Sequence, residues 1–189
     1  MQRKFDIILS EGYSAKSLGV DSIPLSYEIP PTAVTDQGSS SMCAVMAMGN
    51  MLAAMYQLKR IDNAFVYSKR TTEDGISFAE LFKIASTYGY PHKDGNQKLK
   101  EVFKLNSFQE ICAGVVHTAG VLLAMPVYSY ANEFWKGPSL LGYHAVSAVG
   151  YDMNNLIIKN TWGSQWGNNG YTYLKSSDLN NVIEAWAIL

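Results

Sequence analysis

The sequence predicts an α+β fold in which a helical N-terminal half meets an antiparallel β half across a cleft. Three observations predict it. Apolar residues recur at helical spacing in several stretches before about residue 118. From Val121 the period changes to short apolar or alternating runs. Gly150, Gly163, Gly167 and Gly170 then punctuate those runs as turns do. The expected organisation is an extended N-terminal segment over residues 1–34, packed on a body at 35–189. That body is expected to be helical over about 37–118 and β over about 119–189.

A chain of 189 residues, 48% apolar, is long enough for one large domain or two small lobes, and it is not a disordered composition. The formal net charge is −1 with no block of like charge, which argues against nucleic-acid or membrane-surface binding through electrostatics. The longest apolar runs, such as 119–127, are too short to span a bilayer. The N-terminal stretch MQRKFDIILSEGY has a basic patch, but Asp6, Ser10 and Glu11 break its apolar run, so no signal peptide is expected. Two cysteines cannot build a disulfide framework. Cys43 and Cys112 are therefore expected to be free thiols in a reducing, cytoplasmic setting. The sequence contains no internal repeat or low-complexity tract.

In chain order, residues 5–9 suggest a short strand, and Pro24, Pro30 and Pro31 impose extended backbone. A turn-rich run (Asp36, Gly38, Ser39, Ser40, Ser41) feeds a buried helix that begins at Cys43. Met46, Ala47, Asn50, Met51, Ala54, Met55 and Leu58 carry its period, and it is expected to end near Lys59 and Arg60. Residues 61–67 read as loop or a short extended piece. Ser77 caps a second helix over 78–88, with Phe78, Leu81, Phe82 and Ala85 as its apolar stripe and Gly89 as its stop. His92, in a polar loop, reads as an exposed bystander. A third helix is expected over 108–119, with Phe108, Ile111, Cys112, Val115 and Val116 on one face. Cys112 and His117 lie on different faces of it, which argues against a joint role. Residues 121–127 form a buried strand, 128–137 an aromatic-rich loop, and 144–150, 156–159 and 170–174 three further strands.

Chemistry concentrates at three places. Cys43 lies in the first turn of a helix, where the dipole and unpaired backbone N–H groups favour a thiolate; the alternative is a small buried apolar residue. His144 opens a strand, and Asn160 ends the next one. An antiparallel return sets them side by side, with the Asn160 carbonyl accepting the His144 Nδ1–H and Nε2 facing the thiol. Taken singly, each could be a hydrogen-bonded structural residue or a turn residue. Together with Cys43 they match nucleophile, base and orienter. The Gln37 amide, with the Cys43 N–H, could point at a developing oxyanion.

Here the sequence resembles a known family. Q-G-S-S-S-M-C-A resembles the Q-G-x-C-G-S-C-W segment of the papain-like cysteine peptidases, and Y-H-A-V-S-A-V-G-Y-D resembles their H-A-V-x-x-V-G-Y strand. I-I-K-N-T-W-G-S-Q-W-G-N-N-G-Y resembles their I-x-K-N-S-W-G-x-x-W-G-x-x-G-Y run almost residue for residue. The similarity covers roughly residues 29–174. It implies the papain-like two-lobe fold with the active site in the cleft between a helical lobe and a β lobe. It also implies Cys43 as nucleophile, His144 as base and acid, Asn160 as orienter, and Gln37 with Cys43 as the oxyanion hole. Trp162 would shield the His144–Asn160 bond from water, and Trp166 would pack in the core. Asp74 and Gly75 resemble the edge that pairs with substrate backbone, but an Asp-Gly pair is equally an ordinary turn. Tyr143 and Ser41 are further substrate-binding candidates.

The departures from the family pattern are Ser40 for a disulfide cysteine, Ala44 for tryptophan and Ser41 for a glycine that lets substrate approach closely. Cys43 and His144 stand about 100 residues apart, against about 130 in papain-like enzymes. The resemblance thus implies a small, disulfide-free branch of the bacterial or viral type, acting in the host cell or virion if virus-encoded. The expected activity is hydrolysis of peptide bonds through a thioester acyl-enzyme, on protein or peptide substrates. No metal or cofactor, nucleic acid or membrane is implied, and the sequence is silent on oligomeric state. The alternatives are a catalytically silent binding protein of this fold, or the same triad acting on a non-protein amide or an isopeptide.

Overall fold

The computed structural model describes residues 22–59, 61–92 and 95–189. The strand expected at residues 5–9, and Arg60, lie outside the described residues. The elements are β1 (Tyr27–Glu28), α1 (Cys43–Met55), α2 (Asn63–Tyr67), α3 (Phe78–Tyr88), β2 (Tyr90–His92), β3 (Gly95–Gln97) and β4 (Val102–Lys104). There follow α4 (Phe108–His117), β5 (Val121–Val127), β6 (Gly142–Tyr151), β7 (Asn155–Lys159), β8 (Tyr171–Lys175), a 3-10 turn (Ser176–Asn181) and β9 (Glu184–Ile188). The class is α+β, as the sequence predicts.

The main sheet is antiparallel in the order β4-β9-β5-β6-β7-β8, with β1 added to β6; β2 and β3 form a separate hairpin. Its central strands are apolar on both faces because both faces are covered. Leu122, Ala124, Ala145, Trp186 and Ile188 pack with α1 and α3. Val121, Leu123, Met125, Val146, Ala185 and Ala187 pack on the other side with Ile111, Cys112 and Val115 of α4. At about 25 cal/mol per Å² of apolar area removed from water, these two clusters are the main source of the fold's stability.

Helix α1 is buried nearly all round, which explains its lack of a polar stripe: of its thirteen residues only Ala54 and Met55 are not buried. It stops at Met55, short of the expected Lys59. Gln57 adopts φ +54, and the N–H groups of Gln57 and Leu58 return to the carbonyls of Ala54 and Ala53, closing a Schellman turn. Helix α3 has the bounds the sequence predicts. Ser77 accepts the Glu80 N–H at its start, and Gly89, at φ +73, ends it.

Two expectations fail. Residues 63–67 are a short helix capped by Asp62, not a loop. His92 is not a bystander on a loop but ends β2, half-buried with its ring against Tyr56 at 5.1 Å. The described part of the N-terminal segment lies along the β half. Ile29 N–H donates to Val149 O, Tyr151 Oη donates to Pro24 O, and the buried Lys159 ammonium donates to the carbonyls of Thr32 and Ala33.

Candidate active site

The turn before α1 is built from local hydrogen bonds. Asp36 Oδ1 accepts the Gly38 N–H at 2.9 Å, Gly38 takes φ +57, and Gln37 O accepts both the N–H and the hydroxyl of Ser40. Met42 takes the N-cap position without a side-chain cap, so Cys43 is the first helical residue. That position gives its thiol the positive end of the helix dipole.

The β6–β7 register places the second part. Ser147 pairs with Lys159, so continuing the ladder sets Asn160 opposite Val146 and brings it diagonal to His144 on the same face. Asn160 Oδ1 lies 2.7 Å from His144 Nε2 and also accepts the Thr161 N–H at 2.7 Å. The contacting nitrogen differs from the sequence expectation: Nε2, not Nδ1, faces Asn160. Nδ1 is then the nitrogen that can meet a thiol. The reason is geometric, since a ring reaching diagonally across a hairpin presents its distal nitrogen first.

Trp162 stacks on the His144 ring, with centroids 4.6 Å apart and planes 26° apart, and is 1% exposed. Trp166 is half-buried, packs edge-on against Trp162 at 5.3 Å and donates its indole N–H to Tyr130 O. Sequence reasoning missed Phe134. Its ring is fully buried, 5.9 Å from His144 and 5.4 Å from Trp162. The aromatic-rich loop was the available signal, but it did not single out one ring.

Gln37 is brought to the same stretch. Its backbone N–H donates to Thr161 O, its Nε2 donates to Ser40 O at 2.9 Å, and its Oε1 accepts the Thr161 hydroxyl at 2.6 Å. Helix α1 is tied to β6 by the Ser147 hydroxyl, which donates to Ala47 O at 2.9 Å. Ala47 is one helical turn beyond Cys43, and Ser147 is three residues beyond His144, so this bond keeps the two elements in fixed register. Cys43, His144 and Asn160 are 0% exposed and Gln37 5%. Ser41 is buried, Tyr143 half-buried and Asp74 exposed. Gly75 is buried at φ +61, its carbonyl accepting the Thr72 hydroxyl.

Elsewhere, Cys112 is a buried free thiol whose pKa burial pushes up to about 12, and His117 is exposed, so the structure does not bring them together. Burial brings the Lys159 ammonium down to about 8. Among the described residues no group of three His, Cys, Asp or Glu side chains could hold a metal ion. Among them, too, no helix is long and apolar enough to cross a membrane.

Comparison with known proteins agrees with this fold. Residues 64–186 match the model of the papain family cysteine proteases. A cathepsin L-like proteinase of Phaedon cochleariae is 33% identical over 138 residues, 60% of this chain and 43% of the relative. An uncharacterised peptidase C1-like protein of Acanthamoeba polyphaga mimivirus is 45% identical over 142 residues, 72% of this chain and 38% of the relative. The chain thus spans less than half the length of these curated relatives. Among solved structures, xylellain, a cysteine protease from Xylella fastidiosa, superposes with a TM-score of 0.79 at 18% identity, covering 100% of this chain and 97% of its own. A procathepsin B from Trypanosoma congolense gives 0.76 at 14% identity, covering 97% and 85%. The family-model match spans the strands that carry His144 and Asn160, and on it the chain belongs to the papain family of cysteine proteases.

Proposed function

We propose that this chain is a cysteine peptidase that hydrolyses peptide bonds with Cys43 as nucleophile, His144 as base and acid, and Asn160 as orienter. The observation that carries the reading is the buried 2.7 Å contact between His144 Nε2 and Asn160 Oδ1 beneath Trp162. A donor nitrogen held there fixes the ring so that Nδ1 can take the thiol proton. The helix N-terminal position of Cys43 supports the thiolate.

The thiolate attacks the carbonyl carbon, and the carbonyl π pair moves to oxygen. The Cys43 N–H and the Nε2 amide of Gln37, which also donates to Ser40 O, stabilise that oxyanion. The imidazolium gives its proton to the leaving amine as the C–N bond breaks, leaving a thioester. Water, deprotonated by His144, then cleaves the thioester and restores the thiol.

The test compares wild type with Cys43→Ala on dye-labelled casein, and maps labelling by a peptidyl epoxide of the E-64 type. Wild type is expected to cleave and to carry the label on Cys43, while the variant does neither. Casein turnover by Cys43→Ala, or a label confined to Cys112, would refute the assignment.

A further inference from the structure

Thr161 carries no role in the reading above, yet it is bonded to two of that reading's residues. Its backbone N–H donates to Asn160 Oδ1, its backbone carbonyl accepts the Gln37 N–H at 2.8 Å, and its hydroxyl donates to Gln37 Oε1 at 2.6 Å. It is fully buried, as is Asn160, and Gln37 nearly so. The hydroxyl bond joins residues 124 positions apart in the sequence, reaching from the end of β7 to the turn before α1.

A carboxamide has almost the same shape after a half-turn about its last bond, but its chemistry reverses. With Nε2 toward the reacting carbonyl, Gln37 donates to the oxyanion; with Oε1 there, it repels it. The surroundings fix the sense at both ends. Ser40 O can only accept, so Nε2 must face it, and the Thr161 hydroxyl then donates to Oε1. Donation to Oε1 also draws density from the amide nitrogen and makes its N–H groups better donors.

We propose that Thr161 is a positioning residue for the oxyanion site, its hydroxyl holding and polarising the Gln37 carboxamide. This rests on the assignment of Gln37 made above. It predicts that the hydroxyl, rather than the shape of the side chain, is what matters. Thr161→Val keeps the β-branch and both backbone hydrogen-bonding groups, and replaces only the hydroxyl with a methyl.

The experiment measures peptidase kinetics of Thr161→Val and Thr161→Ser, alone and combined with Gln37→Ala, using a peptide arylamide that wild type cleaves. Alkylation of Cys43 by iodoacetamide is followed in parallel, because it needs the thiolate but forms no oxyanion. Thr161→Val is expected to lower kcat by about 10-fold with KM little changed, a part of the roughly 10²–10³ that losing an oxyanion donor costs. Thr161→Ser restores the rate, and alkylation is unchanged in both variants. In the Gln37→Ala background, Thr161→Val has no further effect. A wild-type kcat in Thr161→Val overturns the proposal, and so does an equal loss with or without Gln37. A parallel fall in alkylation overturns it too, since the hydroxyl would then act on the nucleophile or the fold. Wild-type rates from Gln37→Ala itself would remove both this inference and the oxyanion assignment, whereas a silent Thr161 beside an essential Gln37 removes this inference alone.

Discussion

Asn160→Ala isolates the hydrogen bond on which the proposed chemistry leans hardest. Asn160 Oδ1 collects two donors, the His144 ring N–H and the Thr161 backbone N–H, each at 2.7 Å and both without solvent exposure. During catalysis the ring is an imidazolium, and a hydrogen bond to a charged group is worth about 1.5–3 kcal/mol. At about 1.4 kcal/mol per tenfold, its loss lowers kcat by roughly 10- to 100-fold. Activity is not abolished, because a helix N-terminal thiolate and an imidazole can still pair, only less often in the right orientation. The assay is kcat on a peptide arylamide, normalised to the fraction of protein that a peptidyl epoxide can titrate. That normalisation removes the part of the effect due to unfolding, which is expected because the Thr161 N–H also loses its acceptor. A normalised kcat within about twofold of wild type would refute the reasoning, since it would assign the bond less than about 0.5 kcal/mol.

Further outcomes follow from the same geometry. Iodoacetamide at pH 6, followed by peptide mapping, should label Cys43 far faster than Cys112, because Cys43 stands at a helix N-terminus that favours the thiolate whereas the Cys112 pKa is pushed up to about 12; equal labelling would remove the thiolate argument. Lys159 should make stability rise with pH. Its folded-state pKa of about 8 lies below the ordinary 10.5, so between those values the unfolded chain binds more protons and unfolding becomes harder. The gain is on the order of 3 kcal/mol by pH 10.5. It should be absent from Lys159→Met in paired urea melts at pH 7.5 and pH 10, and parallel pH profiles would refute it.

What the sequence made legible is what local rules encode. Helix α3 is readable at both ends because Ser77 and Gly89 are local start and stop signals. The nearness of His144 and Asn160 was readable because hairpin register is arithmetic. The helix over 63–67 was not, since five residues carry no period, although Asp62 was a usable cap signal. Strands β4 and β9 escaped because their partners are distant: β9 inserts between β4 and β5, and its five residues are all buried, so no alternation marks it.

The site shows the same division between short-range signals and long-range contacts. Residues 159, 160 and 161 are consecutive, yet each bonds to a different part of the chain. Lys159 holds residues 32 and 33, Asn160 holds His144, and Thr161 holds Gln37. A motif shows that this tripeptide matters without showing what Lys159 and Thr161 hold, because a partner more than 100 positions away leaves no trace in spacing. The arrangement has a mechanical consequence. The turn carrying Gln37 and leading to Cys43 is fastened to the strand end that orients His144, so a shift at the end of β7 moves donor and base together. Substitutions there should therefore couple in double-mutant cycles, while equally buried changes in α3, which shares none of these bonds, should add.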